Sequence, residues 1–179
     1  VTEIVDKKEL ISFPKGLILR FYMKFTLFNT GRTDASYLRE GIEDYSRRIR
    51  HFIDFTIVDV PGVRSAGKSP PETIRRKEGE NIKKVLRGKD FVILLDEKGI
   101  EMGSRKFAEW LNKIQSLSYK QIAFVTGGAY GFSEDIHKLA DLKISLSKMT
   151  FTHQMVRMIF TEQLYRACMI LKGMNYHND

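Results

Sequence analysis

The sequence predicts an α/β domain: a mostly parallel sheet with helices on both faces. Three observations carry that reading. Short apolar runs of strand length alternate with amphipathic helical stretches in the order β-α-β-α-β-α-β-α-β-α, and helical crossovers between successive strands favour parallel pairing. The chain has 179 residues, enough to bury one core without disulfide or metal staples. Its last long periodic stretch is a helix entered from a strand through a polar loop, an arrangement found at ligand crevices of α/β proteins.

Phe25 and Leu27 lead to Asn29-Thr30-Gly31, a strand and its exit turn. Asp34 is suited to cap a helix whose stripe is Leu38, Ile42, Tyr45, Ile49 and Phe52, in steps of four and three. Residues 55–60 form a second strand, stopped by Pro61-Gly62. A polar connection over 63–69 then reaches Ser69-Pro70-Pro71-Glu72, a capping box with proline at the first helical position. Residues 91–95 are a third strand, followed by Asp96-Glu97-Lys98-Gly99. Ser104 is suited to cap a helix that turns Phe107, Leu111 and Ile114 inward.

A buried-strand run at 121–126 precedes Gly127-Gly128-Ala129-Tyr130-Gly131-Phe132 and a short helix beginning at Ser133. Leu142, Ile144 and Leu146 alternate as a fifth strand, which enters the polar loop 147–152. On the final helix Val156, Ile159, Phe160, Gln163, Leu164, Ala167, Ile170 and Leu171 mark the inner face, with Gln163 its one polar member. Arg157, Glu162, Tyr165 and Arg166 fall on the exposed remainder, Glu162 and Arg166 spaced for a helix-surface ion pair. Gly173 suits the C-terminal cap. In an open parallel sheet the ends of the third, fourth and fifth strands can lie side by side and form one crevice.

Composition narrows the function classes. Thirty Lys+Arg against 22 Asp+Glu give a net charge of +8 and a pI near 9.5, a field that attracts polyanions without identifying nucleic acid. Between 61 and 90 nine bases face four acids. Arg64 and Lys68, near a strand end, suit RNA phosphate best, while a solvated helix face accounts for Lys83 and Lys84. The single cysteine, Cys168, excludes an intramolecular disulfide framework and fits a reducing cytoplasm; within an apolar helix it reads as a buried, inert thiol. Four scattered histidines and one thiol give no metal-ligand spacing, and no apolar run is long enough to span a membrane. The glycine loop has neither the lysine of a phosphate-cradling loop nor the G-x-G-x-x-G spacing, which disfavours phosphate binding. Its glycines admit close backbone approach to a flat ligand; taken alone, a plain strand-to-helix turn accounts for them better.

Taken together in order, MKFTLFNTG, ILLDEKG, FVTGGAYGFS, LSKMTFTHQMVR, EQLYRA and the terminal YH pair span residues 23 to 177. This ordered set resembles the bacterial SPOUT methyltransferases of the ribosomal RNA large subunit methyltransferase H family, which methylate N3 of a pseudouridine in 23S ribosomal RNA. The resemblance implies a C-terminal trefoil knot, which nothing in the periodicity suggests. It implies S-adenosylmethionine in the knot crevice, with Leu95, Gly127, Leu146, Ser147, Lys148, Met149, Thr150 and Phe151 at cofactor-binding positions. It also implies a cytoplasmic homodimer that builds each site from two chains and acts on ribosomal RNA within assembled ribosomes. Residues 1–22 lie outside it, and the expectation is a native start at Met23 and one domain over 23–179, with 1–22 an extension.

Methylating an imide nitrogen requires in-line alignment and removal of a proton. The groups near such a centre are His153, Arg157, Glu162, Tyr165, Arg166, Tyr176 and His177. Of these His153, Arg157, Tyr176 and His177 form the expected catalytic set: His153 at the loop-to-helix junction, Arg157 one turn on to hold a phosphate or a developing anion, and the tail pair to position the nucleotide. The sequence does not choose the proton acceptor among them. Other functions compatible with the pattern are the same chemistry on transfer RNA and a ribosome-associated RNA-binding protein without catalysis. A nucleotide-phosphate binder is disfavoured by the missing lysine.

Overall fold

Side-chain alternation along the strands divides the core into two halves and thereby fixes the layers. The structure is a computed structural model that describes residues 23–63, 69–86, 90–115 and 119–174. Residues 1–22, Arg64, Lys68, Tyr176 and His177 lie outside these. Strands β1 (Lys24–Thr30), β2 (Asp54–Val60), β3 (Asp90–Glu101), β4 (Gln121–Thr126) and β5 (Leu142–Ser145) pair in parallel in the order β2-β1-β4-β3-β5. Phe25, Leu27, Ile93, Leu95, Ile122 and Phe124 point to one face, where they meet α1 (Ser36–Ile49), α3 (Ser104–Ile114) and α5 (His153–Leu171). Phe28, Val92, Leu94, Ala123 and Val125 point to the other, covered by α2 (Pro71–Val85) and α4 (Glu134–Leu139). The predicted two-faced parallel sheet is thus observed, and each fully buried aromatic or aliphatic side chain contributes roughly 1.5–3 kcal/mol.

Helix α5 occupies the centre of its layer, flanked by α1 and α3. Phe160 sits on Phe124 with ring centroids 4.6 Å apart. Because two neighbours press on it, α5 buries more than one stripe. Tyr165, expected on the exposed side, is buried against the rings of Tyr45 and Phe52 at 5.8 and 6.1 Å. Leu171, expected inward, is exposed where the helix runs past its neighbours. The polar Gln163 accepts from Ser104 Oγ at 2.7 Å, which joins α3 to α5. Ser104 therefore does not cap its own helix, whose N-cap is Gly103. Asp34 and Ser69 do not cap either: α1 and α2 begin after Ala35 and Pro70, without side-chain caps. Gly173 does terminate α5, with φ +65 and its N–H donating to Ile170 O. Glu162 and Arg166 pair at i, i+4 as expected, and Cys168 is buried, its thiol pushed up to about 12 by desolvation.

Strand β3 is longer than the predicted 91–95. Its pairing with β5 shifts register between Leu95 and Ile100, so Asp96-Glu97-Lys98-Gly99 bulges within a strand instead of ending it. Asp96 Oδ1 accepts from Lys98 N–H at 2.8 Å and closes the bulge. Gly99 lies against β5 so closely that a Cβ there would stand 2.5 Å from the backbone N and C of Ile144. Gly99→Ala is therefore expected to push β5 away and to destabilise the fold by about 1–3 kcal/mol. Denaturant unfolding and faster amide exchange in residues 142–145 would register it.

Candidate functional site

The cleft is built where β4 and β5 end on either side of the β3 bulge. Order β4-β3-β5 brings these places together, and the bulge and the segments leaving β4 and β5 form the walls. After β4, Gly127 begins a tight turn closed by a Gly128–Gly131 bridge, in which Gly131 N–H donates to Gly128 O at 3.1 Å. Gly131 has φ +76, and a Cβ on Gly127 would stand 3.2 Å from the Gly131 backbone. Glycine is required at both places. After β5, Ser145 Oγ donates to Ser147 O at 2.9 Å and Ser147 Oγ accepts from Met149 N–H at 2.9 Å, which folds the loop back. Thr152 then caps α5, its Oγ1 accepting from Met155 N–H at 3.3 Å.

These segments enclose an open cleft of about 1350 Å³. Leu95, Gly127, Leu146, Ser147, Met149, Thr150, Phe151 and His153 all line it. Lys148 does not; its side chain is exposed, outside the lining. Leu95 is buried, while Leu146 and Phe151 are half-buried, giving apolar walls beside backbone-rich loops. That combination suits a flat ligand read by main-chain groups.

His153 stands at the first position of α5 and is half-buried. Burial first, and the Arg157 cation second, hold its imidazole below the ordinary 6.5, with Asp34 opposing them.

Arg157 is a correction. It was expected on the exposed face of the helix, free to hold a phosphate; instead it is fully buried and outside the cleft lining. Its Nη2 donates to Thr30 O at 2.6 Å and its Nη1 to Thr33 Oγ1 at 2.9 Å. The first turn of α5 docks on the exit of β1, and the carbonyl there needs a buried donor. The guanidinium is lowered by burial, offset by Asp59 and Asp34.

Sequence reasoning missed several lining residues. Asp96 and His137 face each other, Oδ2 to Nε2 3.8 Å, and Phe132 stacks edge-on against His137. From α2, Arg75, Arg76 and Lys83 reach the rim; Arg76 pairs with Glu80 at 2.9 Å and Lys83 with Asp135 at 2.7 Å. The place of Asp96 directly after Leu95 was a usable signal. The approach of α2 needed the tertiary structure. Among the described residues no group of three or more His, Cys, Asp or Glu could hold a metal, and no helix is long and apolar enough to cross a membrane.

The model of a family described as predicted SPOUT methyltransferase matches residues 23–177. The chain belongs to this family. Relatives called ribosomal RNA large subunit methyltransferase H include one from Parabacteroides distasonis, 45% identical over 157 residues, covering 88% of this chain and 100% of that one. One from Bacteroides fragilis is 46% identical over the same shares. One from Cytophaga hutchinsonii is 41% identical over 156 residues, 87% of this chain and 100% of that one. The cleft of this SPOUT methyltransferase chain therefore lies wholly within the matched region.

Two outcomes follow from the geometry. Arg157→Ala leaves Thr30 O unpaired and opens a cavity, so stability should fall by about 2–4 kcal/mol, measured by denaturant unfolding. A titration of His153 followed by NMR should give a midpoint below 6.5. With the folded value depressed, its contribution to stability is complete above the unfolded value and declines as pH falls through that window.

Proposed function

We propose that this chain transfers a methyl group from S-adenosylmethionine to N3 of a pseudouridine in large-subunit ribosomal RNA, within assembled ribosomes. The observation that carries the reading is the gathering of Leu95, Gly127, Leu146, Ser147, Met149, Thr150, Phe151 and His153 around one cleft at the strand ends. The names of the relatives point to large-subunit ribosomal RNA; N3 of a pseudouridine rests on the family resemblance.

The residues fit the cofactor by their chemistry. Leu95, Leu146 and Phe151 offer apolar surface for an adenine, and the 146–151 backbone offers donors and acceptors for its edge. Lys148 would contribute only through its backbone. Asp96 and Glu97 supply negative charge for a cationic ligand. When bound, S-adenosylmethionine supplies an electrophilic methyl on a positively charged sulfur.

The chain's own residues hold the two reactants in line, worth up to several kcal/mol of barrier. Among the described residues His153 is our candidate to accept the N3 proton: it borders the cleft, and its depressed affinity for protons keeps it neutral near pH 7. Arg157 acts by anchoring α5 rather than by touching substrate. Tyr176 and His177 are proposed to position the nucleotide, and a homodimer to bring the tail of one chain to the site of the other. The proposal includes the trefoil knot; the return of the chain from the edge strand β5 across to Thr30 on β1 supports it. Arg75, half-buried at the cleft rim, suits ribosomal RNA phosphate, as do Arg64 and Lys68, which lie outside the described residues. A cytoplasmic location follows from that substrate.

Labelled methyl transfer to unmodified ribosomes, beside protein-free ribosomal RNA and transfer RNA, tests the reading. Label on N3 of a pseudouridine, with ribosomes alone, is the expected result. Label on transfer RNA would keep the chemistry and replace the target. Bound cofactor without transfer to any RNA would point to a binding protein. His153→Ala should lower kcat by about 10²–10⁴-fold with little change in cofactor affinity if it is the proton acceptor.

A further inference from the structure

One ionisable group beside the cleft has no part in the chemistry above. Glu78, on the inner face of α2, is 5% exposed, yet it carries a carboxyl. Burying such a group is unfavourable unless a polar task holds it there. Its Oε1 accepts from Val63 N–H at 3.2 Å, at the exit of β2. Its Oε2 is inaccessible to solvent and has no hydrogen-bond partner among the described residues. Both oxygens lie directly under Gly128: a Cβ on that glycine would stand 2.9 Å from Oε1 and from the carboxyl carbon, and would collide with Oε2.

The surrounding contacts converge on the same place. The next residue, Gly79, packs on Ser133, at the far end of the glycine loop, with no room for a side chain. Asn81 Nδ2 donates to Pro61 O at 2.8 Å, a second tie from α2 to the exit of β2. Gly62 in turn rests on Gly31, where a Cβ would meet the Gly31 Cα at 3.0 Å. One turn of α2 therefore supports the exits of β1, β2 and β4 together. Gly127–Ser133 line the cleft; Glu78 does not.

We propose that Glu78 is a positioning residue for the methyl-donor pocket, a buried carboxyl that sets the height of the Gly127–Gly131 loop and ties it to the exit of β2. The inference rests on the cofactor reading given above. Desolvation raises the proton affinity of Glu78, with the Val63 N–H opposing. Glu78→Gln, which keeps the shape and the acceptor for Val63, should accordingly preserve function.

The test uses the full chain, with S-adenosylmethionine affinity from calorimetry, steady-state kinetics on ribosomes and amide NMR spectra without ligand. Glu78→Ala should weaken cofactor binding and raise its KM by about tenfold while kcat stays within about threefold, and Glu78→Gln should stay within about twofold of the parent. Gly128→Ala should weaken binding similarly. In the double variant E78A/G128A the new methyl group fills the vacated space, so the two effects should be less than additive. Shifts of the 127–132 amides in Glu78→Ala, absent in Glu78→Gln, would show the loop displaced. Parental affinity in folded Glu78→Ala would overturn the proposal, as would additive effects in the double variant. Should Glu78→Ala not fold, Gly128→Ala with unchanged affinity overturns it alone. Failure of the parent chain to bind the cofactor would overturn the methyltransferase reading instead, and the amide shifts would still decide whether Glu78 sets the loop.

Discussion

The start of α5 is tied to the exit of β1, and the geometry of the cleft depends on that tie. Arg157 reaches from the first turn of α5 to Thr30 O and Thr33 Oγ1, and Gln154 Oε1 accepts from Asp34 N–H at 2.9 Å and from Ala35 N–H at 3.3 Å. One side chain binds the strand end and the other the start of α1. Both ends of loop 146–152 are then fixed, by β5 behind and by α5 ahead. A buried arginine is costly to desolvate; here the two Nη groups donate to a carbonyl and a hydroxyl, while Nε has no hydrogen-bond partner among the described residues. The same cation stands beside His153 and helps to hold it neutral. A structural arginine thereby adds to the effect of burial on a neighbour at the cleft without reaching the cleft itself.

Three irregular backbone segments shape the cleft. They are the β3 bulge, the glycine turn after β4 and the serine-closed loop after β5. Main-chain groups have fixed positions once the loop is fixed, so recognition here depends on loop geometry more than on side-chain choice. This is why close contacts recur at glycines: Gly99 against Ile144, Gly127 against Gly131 and Gly128 against Glu78. Each marks a place where added bulk would move a wall.

Much of this was legible in the sequence, for identifiable reasons. Strand and helix order followed from periods of two and of three to four, and the crevice from the neighbouring places of β3, β4 and β5 in the sheet. The segments that line the cleft were legible in local motifs that resemble a family. What failed was whatever depends on a partner distant in sequence. Tyr165 looked exposed because a single-helix pattern cannot reveal that α1 and α3 press on α5 from both sides, and Arg157 because it cannot reveal the docking of α5 on the exit of β1. Ser104 looked like a cap because its real acceptor, Gln163, lies 59 residues away. Asp96-Glu97-Lys98-Gly99 looked like a strand end because β5, which pairs beyond the bulge, comes later in the chain.

Helix α2 brings the remaining pieces into one arrangement. Its inner side supports the glycine loop through Glu78 and Gly79, while Arg75 and Arg76, on the preceding turn, border the cleft rim. The cleft, at about 1350 Å³, exceeds the roughly 300–1,000 Å³ of a typical small-ligand pocket. The methyl donor proposed above would fill only part of such a space; the rest is lined by charges of both signs, with Arg76 paired to Glu80 and Lys83 to Asp135. Ile74 and Ile82, buried in the core, seat α2 against the sheet, so the separation between the glycine loop and the cleft rim is a property of the fold. In-line transfer demands that separation be constant, because a misplacement of about 1 Å can cost on the order of a hundredfold in rate.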